Sequence, residues 1–345
     1  MAYEKPWLSY RDQLDTLKKR GLIVSDDDKA VDYLQRIGYY RLSGYWFPFR
    51  ERSEVCCPLF AEGRSKFKRG DTDKLALDEF KAGASFQLAV ELYVFDKRLR
   101  LLVMDALERI EIALRVDIAH TLGRHDAFAY LNPNLFRDDF ARKLNPDSGL
   151  TKHHQWLQNH ALLLNRSKEN FLQHNKVKYG LPVAIWIACE VWDFGTLSTL
   201  FAGMIPSEQN EIAQKYGLAK GETLESWLRC LNYLRNVCAH HSRLWNRNIV
   251  DQPKKPGRGN APLFESALSS SHNPARPFLL FCIIQHLLNT INPSSTWWLR
   301  LKMHLDTFPD LAHLGLNLDG MGVITGWESW EWKHSAENSR ATKNP

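Results

Sequence analysis

Along most of the chain, apolar residues recur at three-to-four spacing and are interrupted by short Gly- and Pro-bearing stretches. That is the pattern of amphipathic helices sharing a core. Residues 85–122 contain neither Gly nor Pro, and Leu88, Leu92, Phe95, Leu99, Leu102, Ala106, Ile110, Leu114 and Ile118 trace one stripe along them. At the helical rise this predicts a helix roughly 50 Å long, the spine of a bundle. Ser25 with Asp28 reads as a capping box opening a helix through Ile37. Further helices are predicted over 8–20, 150–173, 182–203, 207–216, 222–245, 276–291 and 295–306. Pro182 and Pro206 suit first-turn positions, and Gly21, Gly123 and Gly217 suit helix stops. Strand signal is confined to 39–49 and 323–324, and 253–277 reads as a basic loop. The expected fold is mainly α: a helical core over 61–310 with a long spine helix, a small N-terminal helical appendage over 1–60 and a tail over 311–345.

Composition changes this picture little. With 345 residues, 44% hydrophobic, the chain is long enough for a substantial core and too apolar for wholesale disorder. A net charge of +6 suits a polyanionic partner, but its placement matters more than its sum. The start, with Tyr3, Glu4, Lys5 and Pro6, does not resemble a secretory signal, and the apolar stretch over 181–203 is broken by Glu190 and Asp193. Cys56, Cys57, Cys189, Cys230, Cys238 and Cys282 form no C-x-x-C pair, and four of them lie in apolar periodic segments. Neither zinc nor a disulfide framework is expected, nor any cofactor or membrane span, and the setting expected is cytoplasmic.

The chemistry is concentrated in 224–247, LESWLRCLNYLRNVCAHHSRLWNR. On a helical projection Leu224, Trp227, Leu231, Leu234, Val237 and Cys238 share one apolar arc. Arg229, Asn232, Asn236, His240, Arg243 and Arg247 share the opposite face, with Arg235 at the border. A solvated face normally mixes both signs of charge, whereas this one holds only Arg, Asn and His. Arginines so crowded repel one another unless an anion lies across them, and guanidinium is the preferred fork for phosphate oxygens. His240 stands one turn beyond Asn236 and carries the side chain best suited to proton exchange near neutrality. Such a set suits metal-independent cleavage of RNA, an imidazole moving the 2′-OH or leaving-group proton and an arginine stabilising charge on phosphorus. From spacing alone, a structural helix packing its polar side on acidic segments explains the pattern equally well.

R-N-V-C-A-H at 235–240 resembles the R-N-x-x-x-H signature of HEPN-type ribonucleases. The longer LRNVCAHHSRLWNR is similar to Abi-like proteins of bacterial abortive infection, the AbiD/AbiF type. So are IGYYRLSGYWFPF at 37–49, LYVFDKRLRLLVMDALERIEIALR at 92–115, LPVAIWIACEVWDFGTLSTLF at 181–201 and the closing MGVITGWESWEW. The likeness implies a HEPN-like helical bundle, a role in phage defence, and Arg235 and His240 as catalytic residues with Asn236 orienting. It also implies a homodimer with a composite site and association with a small noncoding RNA.

Arg243, Arg247, Arg229, Lys254, Lys255 and Arg258 are expected as phosphate contacts, and Tyr40 with Arg41 as an RNA-stacking pair beside Tyr39, Tyr45 and Trp46. Glu108 and Glu111 are expected to support Arg235 or His240. Arg115 and His120 repeat the spacing of Arg235 and His240, but Val116 replaces Asn and Glu111 offers an intrahelical ion pair. His241 falls on the apolar side, and His153, His154, His160 and His174 lack the companions of a metal site. Three functions compete: an endoribonuclease toxin, a non-catalytic RNA-binding protein of a toxin–noncoding RNA system, and a DNA-binding regulator using the helical pair over 8–37.

Overall fold

The computed structural model describes residues 6–53, 75–257, 261–269 and 275–330. Cys56, Cys57 and Arg258 lie outside them. The fold is mainly α and divides into two compact units, one of residues up to Arg98 with His304–Asp319, the other of Leu99–Met303 with Gly320 onward. Among the described residues no helix is long and apolar enough to cross a membrane.

The first unit holds α1 (Tyr10–Lys19), α2 (Asp27–Ile37), α3 (Tyr39–Trp46), and a two-stranded antiparallel sheet of β1 (Arg50–Arg52) and β2 (Ala76–Phe80). It also holds the first turns of α4 (Phe86–Gly123). The capping box belongs to α1, where Ser9 and Asp12 cap each other, and α2 is capped by Asp26 instead of Ser25. The strand expected over 39–49 is a helix, because Leu42, Tyr45, Trp46 and Phe49 are the buried positions and their spacing is helical. Within this unit the Tyr45 hydroxyl donates to the buried Asp96 carboxylate at 2.7 Å, and His304 stacks on Phe95 and bonds its carbonyl oxygen. α1 and α2 pair through Lys18–Asp27 and Arg11–Asp28. Their surface also carries Asp12, Asp15, Asp26 and Asp32.

The second unit is built on the rest of α4, whose inward residues Leu99, Ala106, Ile110, Leu114 and Ile118 are almost wholly buried. Then follow α5 (Asp138–Ala141), α6 (Lys152–Arg166), α7 (Asn170–Tyr179), α8 (Ile185–Ala188), α9 (Phe194–Gly203), α10 (Pro206–Lys215) and α11 (Gly221–Ala239). The last helices are α12 (Pro262–Ser269), α13 (Pro277–Ile291) and α14 (Trp297–Leu305). The helix expected over 150–173 is two helices, broken near Ser167, and Pro182 precedes a helix that opens only at Ile185. Pro206 does occupy a first turn. The 253–277 stretch contains α12, and 323–324 carries no strand.

The core of this unit is unusually aromatic. His160 stacks on Trp156 with an interplanar angle of 7° and accepts from the Trp192 indole at 2.9 Å, while His153 bonds the Tyr130 carbonyl oxygen at 2.8 Å. Burial pushes the His160 imidazole down to about 4 and lowers that of His153. These histidines are therefore neutral packing elements. Buried Asp117 accepts from the Tyr216 hydroxyl and pairs with Lys215, fixing α4 to the end of α10. Cys189, Cys230, Cys238 and Cys282 are buried free thiols.

Candidate active site

α11 packs against α9, α10 and α13. Leu224, Trp227, Leu231, Leu234, Val237 and Cys238 are at most 5% exposed, which sets the rotation of the helix. The opposite edge therefore presents Arg229 and His240 as exposed residues and Asn232 and Asn236 as half-buried ones. Arg235, at the border, is half-buried, and its Nη1 lies 3.4 Å from the Asn236 Oδ1.

The helix stops at Ala239, six residues short of the expected 245. His240 is the C-cap, with its N–H on the Asn236 carbonyl at 3.0 Å. His241 takes the left-handed conformation with φ of 55°, its N–H reaching the Cys238 carbonyl, and the Ser242 N–H reaches that of Val237. This is the Schellman closure, with histidine where glycine is usual. Histidine is among the few side chains that tolerate this region, and the turn costs on the order of 1 kcal/mol against glycine. It leaves His240 projecting at the helix end, and no described residue hydrogen-bonds its ring.

The turn is held from outside. The buried Arg100 guanidinium donates to the Ser242 carbonyl at 3.3 Å, and Arg276 donates to that of Asn246 at 2.8 Å. Leu244 and Trp245 are buried, and Gly320 approaches the Trp245 ring so closely that a Cβ there would lie 3.0 Å away. The role of Arg100 was not visible in the sequence. Its only signal was a cation beside the apolar stripe of the long helix.

Because α11 ends early, Arg243 and Arg247 do not continue its polar face. Arg247 returns by another route, its Nε donating to the Tyr233 hydroxyl at 2.8 Å with the guanidinium over that ring. Arg243 is half-buried in the turn.

Arg235 opens on a cleft of about 510 Å³ whose α4 wall carries Leu101, Glu108, Glu111, Ile112 and Arg115. Burial raises the Glu111 carboxyl above its ordinary range, with Arg115 and Arg235 pulling it back and Asp193 and Glu108 adding to the rise. Glu111 is therefore an electrostatic neighbour of Arg235. Glu108 shares the cleft and is exposed. Arg115, in contrast, is pinned by Glu111 at 3.2 Å and the Trp192 carbonyl at 3.1 Å, with Glu190 at 3.8 Å.

The basic loop does not gather at this end of α11. Lys254 pairs with Glu222 at 3.0 Å, and its backbone carbonyl accepts from the Trp227 indole. Glu222 lies in the first turn of α11, so Lys254 sits roughly 27 Å of helix away from His240. Lys255 is exposed on the same segment. In the first unit Tyr40 is 91% exposed and Arg41 is exposed, whereas Tyr45 and Trp46 are core. Among the described residues no three His, Cys, Asp or Glu side chains gather to hold a metal ion.

Residues 32–246 match the family model described as Abi-like protein. The chain belongs to the Abi-like family. The match takes in α11 and the turn that seats His240, and it points to phage defence by abortive infection. No curated protein and no solved structure matches this Abi-like chain.

Proposed function

We propose that this Abi-like protein is a HEPN-type endoribonuclease that cuts RNA by attack of the ribose 2′-OH. The observation that carries the reading is the end of α11. There an exposed His240 caps the helix one turn past Asn236, and Arg235 opens on a cleft it shares with Glu111. In the reaction the 2′ oxygen bonds to phosphorus as the bond to the 5′ oxygen breaks, leaving a 2′,3′-cyclic phosphate and a 5′-hydroxyl. His240 accepts the 2′-OH proton or donates one to the 5′ oxygen, each within the scope of a general acid–base imidazole. Arg235 stabilises the added charge on the non-bridging oxygens. Asn236 and Glu111 position Arg235, the first through its Oδ1 and the second through charge.

One chain supplies one His240, whereas the reaction needs both a base and an acid. A second copy bringing its own α11 end meets that need. The α4 side beside the cleft carries Leu101, Ile112 and Val116 at 63%, 48% and 58% exposure, with Asp105 and Glu108 among them, a mixed face suited to burial against another chain. Lys255, Arg229, Tyr40 and Arg41 are accessible for RNA contact, and a small noncoding RNA is a fitting restraint for such a toxin. The α1–α2 pair, rich in aspartate, suits a DNA duplex poorly.

The test is RNA cleavage in excess EDTA by the parent chain and by His240→Ala, with folding checked by circular dichroism. Cleavage by the parent, 2′,3′-cyclic phosphate ends and loss of activity in the folded variant are expected. Equal RNA binding by both with cleavage by neither would establish the non-catalytic alternative instead.

A further inference from the structure

A second cleft, of about 380 Å³, is lined by Asp193 and nothing above uses it. Its polar lining comes from Lys152, Gln155 and Asn159 of α6, Asp193 and Gly195 at the start of α9, and Asn232 of α11. We propose that this cleft is a base-recognition subsite that takes an unpaired guanine of the RNA substrate; the inference rests on the nuclease reading and adds the specificity.

The donor and acceptor inventory selects the ligand. Asp193 Oδ1 caps α9 by accepting from the Thr196 N–H and hydroxyl, both at 2.8 Å, and no described residue hydrogen-bonds its Oδ2. Asn159 donates to the Thr196 hydroxyl at 2.9 Å, which leaves its carbonyl oxygen open, and the Asn232 amide bonds no described residue. A carboxylate facing the cleft repels phosphate, and the surrounding amides suit no hydrocarbon. A flat, neutral ligand with both donors and acceptors satisfies them. Unpaired RNA bases are read in this way on their exposed edges. Guanine alone among the four places two N–H donors side by side, N1–H and the N2 amine, next to an acceptor, O6. Asp193 Oδ2, whose lone pairs are open, takes the donor pair, and Asn232 or Lys152 donates to O6.

Space and position agree. A Cβ on Gly195 would stand in ordinary contact, 3.5 Å from both the Asn232 amide and Asp193 Oδ1, so a long side chain there would enter the cleft between them. Asn232 lies three residues before Arg235, and Asp193 acts on the same Glu111 carboxyl that Arg235 acts on. Asn232 stands eight residues, roughly 12 Å of helix, before His240.

The experiment uses short uridine oligomers carrying one guanosine, inosine or adenosine. Their affinity for the His240→Ala chain is measured by fluorescence anisotropy, and cut positions made by the parent chain are mapped on a long RNA. Guanosine is expected to bind about tenfold or more tighter than adenosine, with inosine, which lacks the N2 amine, between them. Asp193→Asn, which preserves the helix cap, and Gly195→Leu, which fills the cleft, should each bring that ratio within about twofold. A ratio is insensitive to the fraction of folded protein. Equal affinity for all three oligomers, or a preference that survives both substitutions, would overturn the subsite. Retained preference without any cleavage would refute the nuclease reading and leave the subsite standing, and cleavage without preference would do the reverse.

Discussion

Two places in this chain carry arginine and histidine five residues apart: Arg115 with His120 on α4, and Arg235 with His240 on α11. On α4 the arginine is 13% exposed at its side chain and is consumed by Glu111, Glu190 and a backbone carbonyl, while the exposed histidine lies within the last turn of a helix that runs on to Gly123. On α11 the arginine opens on a cleft, and the histidine is the helix cap itself. Identical spacing thus produces a structural clamp in one place and, in the other, a cleft-lining arginine beside an exposed histidine. The difference lies in the neighbours and in where the helix ends.

The sharpest way to break this comparison is to delete each histidine. His240→Ala is expected to lower the cleavage rate about 10²- to 10⁴-fold, and His120→Ala less than about twofold, in the same EDTA-containing assay. A large loss at His120 with none at His240 would invert the assignment.

Deleting the arginines should separate activity from stability. Arg235→Ala is expected to cost about 10²- to 10³-fold in kcat with little change in melting temperature. Arg115→Ala leaves Glu111 half-buried without its ion-pair partner, and about 1–3 kcal/mol of stability should be lost in urea unfolding.

The buried histidines sharpen the contrast by pH. The folded chain holds His160 neutral down to about 4, whereas an unfolded imidazole takes its proton near 6.5. The unfolded state therefore binds more protons between these values, and stability falls as pH drops from about 6.5 to about 4. The loss from His160 is on the order of 3 kcal/mol at most, and His160→Gln should flatten the pH dependence of the melting temperature in that window. An unchanged slope would show that His160 is not the group responsible.

The smallest effect is expected from the basic loop. Lys254→Ala, at the far end of α11 and paired with Glu222, should change RNA affinity by less than about twofold, and Arg229→Ala should change it more. Filter binding at two salt concentrations distinguishes them, because only a true phosphate contact reduces the salt slope.

Much of the architecture was legible because periodicity is a local property. The apolar arc of α11 and the stripe of α4 are buried as their spacing requires, and Pro206 opens α10. Residues 39–46 misled because their aromatics favour strands, yet the spacing of Leu42, Tyr45 and Trp46 to the core is helical, and burial outweighs propensity. Ser25 lost the cap of α2 to Asp26, a difference of one residue that local patterns do not resolve. At the candidate site, Asn236 and His240 were readable as one face of one helix, with Arg235 at its border. The end of α11 at Ala239 was not, because it depends on a left-handed His241 and on Arg100 holding the turn from a distant part of the chain. Asp193 gave no sign beyond a charge that breaks the apolar stretch over 181–203, since the other groups that line its cleft come largely from other helices.

What this sequence determined by itself is therefore which residues share a helix and which edge of it is apolar. Those follow from a fixed angle per residue and the cost of wetting hydrocarbon. Only the tertiary structure decided which guanidinium is spent on ion pairs, where the helix releases its last histidine, and that Lys254 pairs with Glu222 at the start of α11, far from His240. Those outcomes depend on contacts between residues far apart in the chain, which no helical projection contains.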